Sequence, residues 1–277
     1  MKLHTIDTGY FKLDGGAMFG VVPKSIWKQL NPPDQNNLCT WAMRCLLVEE
    51  GDRLILIDTG LGDKQSDKFF SYYEPHGDDS LEKSLKKAGF SFKDITDVFL
   101  THLHFDHCGG AIKVKGDYFL PAFPNAKYWS NENHWAWATT PNAREKASFL
   151  KENIQPIKES GQLNFLKEEE ELMPGFKIKT VNGHTESMML PQIEYKGKTI
   201  VYMADLMPSA GHIPLAYVMA YDVRPLVTLK EKEEFLDEAV ANNYVLFFEH
   251  DREHECCTLK QTDRGPRADQ FLKLSEI

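Results

Sequence analysis

The segment that most constrains this chain is Thr101-His102-Leu103-His104-Phe105-Asp106-His107-Cys108-Gly109-Gly110, which follows directly on the short apolar stretch Ile95 to Leu100. That stretch reads as a strand. His102 and His104 are two residues apart, so an extended backbone points both imidazoles to one side, where they can share a cation. Asp106 and His107 fall where the chain must turn, and adjacent residues in a turn can aim at a second cation. Gly109 and Gly110 are expected to let the backbone turn tightly without a Cβ penalty. Imidazole and carboxylate donors suit zinc, iron, manganese or cobalt better than calcium or copper(I).

Such a site needs more ligands than one segment supplies. Three further residues stand just past predicted strands: His184 after the strand ending at Val181, Asp205 after the strand ending near Tyr202, and His250 after Tyr244 to Phe248. Strand ends converging on one rim are how layered folds assemble sites.

The rest of the chain alternates strands and helices. Trp41 to Glu50 and Arg53 to Asp58 read as strands joined at Glu50-Gly51-Asp52. Ala126 to Trp129, Phe176 to Val181, Met188 to Tyr195 and Lys198 to Met203 read as strands. Ser80 to Ala88 and Lys230 to Asn242 read as helices, the first stopped by Gly89. Lys167 to Glu171 is a charged run, read as a solvated turn. The pattern suggests two sheets with helices outside. Two segments fit it poorly: 14–37, rich in Gly, Pro and large apolar residues, and 130–161, with Trp135, Trp137 and Phe149. Within a single domain spanning 1–277, both are expected to be lid insertions; the alternative is that they cover a sheet face.

Composition narrows the class. The 277 residues carry 32 Lys and Arg against 41 Asp and Glu, a net charge of −9. Nucleic acid is therefore not an expected partner. No apolar run approaches the ~20 residues that span a bilayer. The N-terminus has no apolar h-region with a small-residue cleavage site. The five cysteines form no CxxC pair. A reduced, cytoplasmic protein with no membrane partner is expected, and a homodimer is compatible with the sequence.

In Asp58-Thr59-Gly60, the HxHxDH run at 102–107, Gly183-His184-Thr185, Asp205 and His250, the chain resembles the metallo-β-lactamase-fold superfamily of hydrolases. The resemblance spans about residues 41 to 251 and implies an α/β fold, the αββα four-layer sandwich. It implies two divalent transition-metal ions, zinc foremost, with iron, manganese or cobalt also suitable. His102, His104 and His184 would hold the first; Asp106, His107 and His250 the second; Asp205 would bridge them. Asp58 would be a buried group supporting the loop. His107 and a bridging Asp205 resemble the glyoxalase-II, lactonase and phosphotriesterase branches rather than the β-lactamases with a Cys ligand. The 27 residues after His250 are too few for the helical domain of glyoxalase II. The quorum-quenching lactonases are the nearest resemblance, but Pro208 stands where they carry a Tyr. Tyr217, Tyr221 or His212 could take that place in space.

The implied chemistry is attack of a bridging hydroxide on a carbonyl or phosphoryl centre, with Asp106 as the catalytic carboxylate that orients the nucleophile and shuttles its proton. The substrate is expected to be a small, neutral, partly apolar ester or lactone, in a pocket of Met18, Phe19, Trp27, Trp135, Met207, His212 and Tyr221. The other readings are a phosphotriesterase of the same fold, an iron-dependent redox protein and a non-catalytic metal-binding protein.

Overall fold

The computed structural model describes residues 1–167 and 170–277; the charged run at 167–171 therefore lies partly outside the described residues. The first half of the chain builds one six-stranded sheet from β1 (Lys2–Asp14), β2 (Leu38–Glu50), β3 (Arg53–Ile57), β4 (Asp97–Phe99), β7 (Lys127–Asn131) and β8 (Leu163–Leu166), in the order β1-β2-β3-β4-β7-β8. Between β4 and β7 a small hairpin of β5 (Ile112–Lys115) and β6 (Tyr118–Pro121) stands apart. The second half builds another six-stranded sheet, ordered β14-β13-β12-β11-β10-β9, from β9 (Phe176–Val181), β10 (Met188–Tyr195), β11 (Lys198–Tyr202), β12 (Val245–Phe247), β13 (Cys256–Lys260) and β14 (Arg267–Leu272). The helices are α1 (Gly15–Phe19), α2 (Lys24–Trp27), α3 (Asp67–Tyr73), α4 (Leu81–Lys87), α5 (Phe105–Cys108), α6 (Glu132–Thr139), α7 (Lys151–Glu159) and α8 (Pro225–Ala241).

Alternation along the strands explains the layering. Leu46, Val48, Ile55, Ile57 and Phe99 face the second sheet and pack with Phe176, Ile178, Met188, Leu190 and Ile200. Their neighbours Cys45, Leu47, Leu56 and Val98 point the other way, onto Leu81 and Leu85 of α4 and Ile154 and Ile157 of α7. Successive side chains on a strand point to opposite faces, so these runs are apolar on both sides and lie between layers. Phe235, Leu236 and Ala239 of α8 pack against the second sheet. The result is the αββα order expected. Among the described residues no helix is long and apolar enough to cross a membrane.

Several elements were not visible in the sequence. β1 pairs with β2 from Lys2↔Glu49 to Asp14↔Leu38, but its register shifts between Asp7 and Tyr10, where Gly9 takes φ +105°. That bulge breaks the two-residue period by which a strand is read. α8 begins at Pro225 rather than Lys230, because proline at the first helical turn has no N–H to leave unpaired. Segment 14–37 folds as α1 and α2 around a third cluster in which Phe19, Trp27 and Trp41 are buried. Segment 130–161 is two helices with an irregular turn between them.

Candidate metal centre

The expected ligands lie in the segments that follow strands β4, β9, β11 and β12. His102 and His104 follow β4, with His104 extended (φ −64°, ψ 151°) as the residue that opens α5. Asp106 and His107 lie within α5. His184, Asp205 and His250 follow β9, β11 and β12. The glycines act differently from the sequence expectation. Gly109 has ordinary helical angles (φ −60°, ψ −43°), and an added Cβ would sit 1.9 Å from the Leu61 carbonyl oxygen; one on Gly110 would sit 2.2 Å from that of Thr59. These glycines admit the 59–61 backbone to close packing rather than permitting an unusual turn.

The ring nitrogens converge in two groups. His104 Nδ1 lies 3.1 Å from His102 Nε2 and 3.2 Å from His184 Nε2. His107 Nε2 and His250 Nε2 are 3.2 Å apart, and each is 3.8 Å from Asp106 Oδ2. Asp205 reaches both: Oδ2 is 3.1 Å from His184 Nε2, and Oδ1 is 3.2 Å from His250 Nε2 and 3.6 Å from His107 Nε2.

The outward nitrogens decide what the inward ones can bind. His184 Nδ1 faces Asp222 Oδ1 at 2.8 Å, and His250 Nδ1 faces the Ala42 carbonyl at 2.8 Å. His107 Nδ1 faces Asp58 Oδ2 at 3.1 Å and Glu249 Oε2 at 3.0 Å. His104 Nε2 faces Glu145 Oε1 at 3.5 Å. His102 Nδ1 faces the Thr101 hydroxyl at 3.1 Å, which donates its own proton to Asp58. Carbonyls and carboxylates only accept, so each ring in the neutral form that binds a metal carries its N–H outward and its lone pair inward, and metal binding displaces any second proton. Five lone pairs and two carboxylates then face one another in a buried space, and Asp205 Oδ1 has no hydrogen bond there. Divalent transition metals fit this donor set; outward partners that fix the tautomer are typical of metal-ligating histidines.

Asp58 braces the whole turn. It takes φ +56° and accepts from the Thr101 N–H at 2.8 Å and the Thr101 hydroxyl at 2.7 Å. His134 Nε2 accepts from the Leu103 N–H at 2.9 Å, and its Nδ1 donates to the Glu186 carbonyl at 2.6 Å. Burial opposes protonation of His184 and His250, but Asp205 outweighs it and lifts them to about 10 and about 9. Burial and the neighbouring His107 and His104 hold His102 well below the usual range. Burial, reinforced by Asp58, lifts Glu249 to about 7 against the pull of His107.

A cleft of about 340 Å³ opens over these groups, with His104, Asp106, His184, Asp205 and His250 on its floor. Leu13, Met18, Phe105 and Met219 give it apolar walls, and Tyr73 and Tyr221 bring phenols. Arg144 stands at its edge. Of the expected pocket residues, Met18 and Tyr221 line the cleft. Phe19, Trp27, Trp135, Met207 and His212 do not, which corrects the sequence expectation for them. Phe19 stacks between Trp27 (5.7 Å) and His212 (4.6 Å). His212 Nε2 donates to the Met18 carbonyl at 2.9 Å, its Nδ1 accepts from the Ser209 hydroxyl at 2.8 Å, and burial holds its pKa down at about 3. Trp135 packs on the helix side of the first sheet and Met207 between the sheets. Large flat side chains gain most by burying on one another. Tyr217 packs on the third cluster without lining the cleft, and Pro208 offers only its carbonyl, to the His250 N–H at 3.0 Å. Glu145, Asp222, Glu249 and Tyr73 were not legible in the sequence, since no spacing ties them to the histidines; only Glu249, beside His250, sits next to a ligand.

The family model of the metallo-beta-lactamase superfamily matches residues 44–250. An N-acyl homoserine lactonase of Bacillus cereus is 24% identical, covering 92% of this chain and 94% of the relative. A crystal structure of a probable metal-dependent hydrolase from Staphylococcus aureus is 28% identical, with a TM-score of 0.89, covering 98% of this chain and 96% of the other. A dizinc quorum-quenching lactonase in complex with a product, N-hexanoyl-L-homoserine, is 23% identical with a TM-score of 0.78, covering 99% of this chain and 97% of the other.

Proposed function

The chain belongs to the metallo-β-lactamase superfamily, and from that premise we propose that it is a dinuclear metal-dependent hydrolase of small, neutral, partly apolar esters or lactones. His102, His104 and His184 would hold one divalent ion, Asp106, His107 and His250 the other, and Asp205, within reach of both groups, would serve both; zinc is the first candidate. The observation that carries this reading is the inward set of five imidazoles and two carboxylates, three of the imidazoles and both carboxylates reaching the floor of an apolar cleft. When bound, such ions supply Lewis acidity, polarising a substrate oxygen and lowering the pKa of water from about 15.7 toward about 7.

The chain's own groups supply the rest. Asp106 lies on the cleft floor, where its carboxylate accepts a proton from the attacking water and returns it to the leaving oxygen. Leu13, Met18, Phe105 and Met219 exclude bulk water and take the apolar part of the substrate. Tyr73 and Tyr221 are the phenols placed to donate to its polar end, in the absence of one at Pro208. Arg144 is the one Lys or Arg among the residues lining the cleft, and its guanidinium is engaged by the Ala220 and Asp222 carbonyls, so a polyanion finds little beyond the metal groups to bind. The lactonase relatives support lactones as the first class to try.

Zinc-loaded protein should turn over lactones or aryl esters well above phosphotriesters, thioesters and β-lactams, and lose that activity to a chelator. Metal content at or below one ion per chain after zinc supplementation would overturn the dinuclear site. Preference for a polyanionic substrate would overturn the substrate class.

A further inference from the structure

The turn between α6 and α7 carries a buried carboxylate that the ligand set does not use. Glu145 is 3% exposed, and Oε1 accepts from the Thr185 hydroxyl at 2.6 Å, next to the ligand His184. Oε2 accepts from Trp137 Nε1 at 2.7 Å and from Asn142 Nδ2 at 2.6 Å. The Asn142 side-chain oxygen caps the same turn, accepting from the Arg144 N–H at 2.9 Å and the Glu145 N–H at 3.1 Å. Trp137 is itself held under the Arg224 guanidinium, 5.0 Å from the ring centre. The carboxylate is thus fixed by three donors, and its remaining approach is to His104 Nε2, a buried nitrogen with no hydrogen bond of ordinary geometry.

That placement has a consequence for the ligand atom. A neutral imidazole carries one N–H, and a fixed carboxylate beside one nitrogen draws the proton there, leaving the lone pair on the other. For His104 the other nitrogen is Nδ1, the atom facing His102 and His184. We infer that Glu145 is a positioning residue: from the 130–161 segment it sets the tautomer and orientation of His104, and so the affinity of the metal held by His102, His104 and His184, without contributing to the other metal. Arg144, one residue earlier, binds the Ala220 and Asp222 carbonyls across the cleft. The same short turn thereby ties one metal ligand to the wall that carries Tyr221.

The inference rests on the dinuclear reading, and the test separates the two. Zinc affinities of wild type, Glu145→Gln and Asn142→Ala are measured by competition with a chromogenic chelator, alongside the melting temperature of each metal-free protein. Asn142→Ala loosens the turn but keeps the carboxylate. The expected result is that Glu145→Gln weakens one of two zinc ions about 10- to 100-fold, the usual loss for an outer partner of a metal-bound histidine. The other ion stays within about threefold, and Asn142→Ala, which removes one donor to the carboxylate but keeps its charge, weakens the same ion by clearly less than Glu145→Gln does. Equal weakening of both ions by Glu145→Gln would overturn the inference, as would unchanged affinity, or the same one-ion loss in Asn142→Ala. A wild-type protein that binds no zinc pair would instead overturn the dinuclear reading.

Discussion

The two histidine groups meet at the same carboxylate, Asp205, yet lean on different parts of the molecule. Around His107 and His250 the outward partners are the sheets themselves: Asp58 at the end of β3, Glu249 at the end of β12 and the Ala42 carbonyl within β2. Asp58 and Glu249 are fully buried. Around His104 and His184 the partners come from excursions, Glu145 in the turn after α6 and Asp222 in the stretch before α8. One histidine group is therefore an extension of the core, and the other is completed by segments that also shape the cleft. Loss of an outer partner should cost folding free energy at the first and chiefly metal at the second.

The largest effect should come from the residue the two groups share. Asp205→Ala is expected to lower the affinity for both ions and cut turnover by about 10³-fold or more, since it removes the charge that holds the metals as a pair. Elemental analysis beside ester turnover checks this; full retention of one ion would assign Asp205 to a single group. Asp106→Asn comes next, with about 10²- to 10⁴-fold lower turnover, the range for loss of a proton-transferring group, and an unchanged melting temperature. Wild-type turnover in a fully metallated variant would remove Asp106 from the chemistry.

The contrast in stability is tested at Asp58. Asp58→Ala should destabilise even the metal-free protein by about 3–5 kcal/mol, because it strips a buried charge from His107 and orphans the Thr101 N–H. Urea unfolding of the metal-free form measures it, and a loss no larger than that of Glu145→Gln would erase the difference between the groups. Trp27→Ala should cost about 3–5 kcal/mol as a core truncation while leaving KM unchanged. A raised KM at full stability would return Trp27 to the cleft. The smallest effect is expected for Tyr221→Phe, about 3- to 10-fold in kcat/KM, the worth of one hydrogen bond to substrate. No change at all would leave Tyr73 as the phenol that matters.

Much of the fold was legible because its signals are local. The strands from Phe176 to Val181 and from Met188 to Tyr195 have the bounds expected, the first because Phe176 and Ile178 alternate with lysines, the second because it opens on an apolar run, and both end at turn residues. β1 escaped because its bulge at Gly9 destroys the alternation, and β13 and β14 because short strands, β14 at the sheet edge, carry little pattern. For the aromatic residues of segment 14–37, composition alone cannot separate a core from a binding wall. The stack of Trp27, Phe19 and His212 uses contacts across nearly 200 residues of chain, which no local window contains.

The sequence by itself determined the donor chemistry: imidazoles and carboxylates at the ends of apolar strands, two of them on one side of an extended segment and others where the chain turns. Those properties follow from residue type and strand period. Only the tertiary structure decided which nitrogen of each ring points inward, because that choice belongs to the group on the far side of the ring. For His107 this is Asp58 and Glu249, for His184 Asp222, for His250 the Ala42 carbonyl and for His104 Glu145, each brought there by packing between segments distant in the chain.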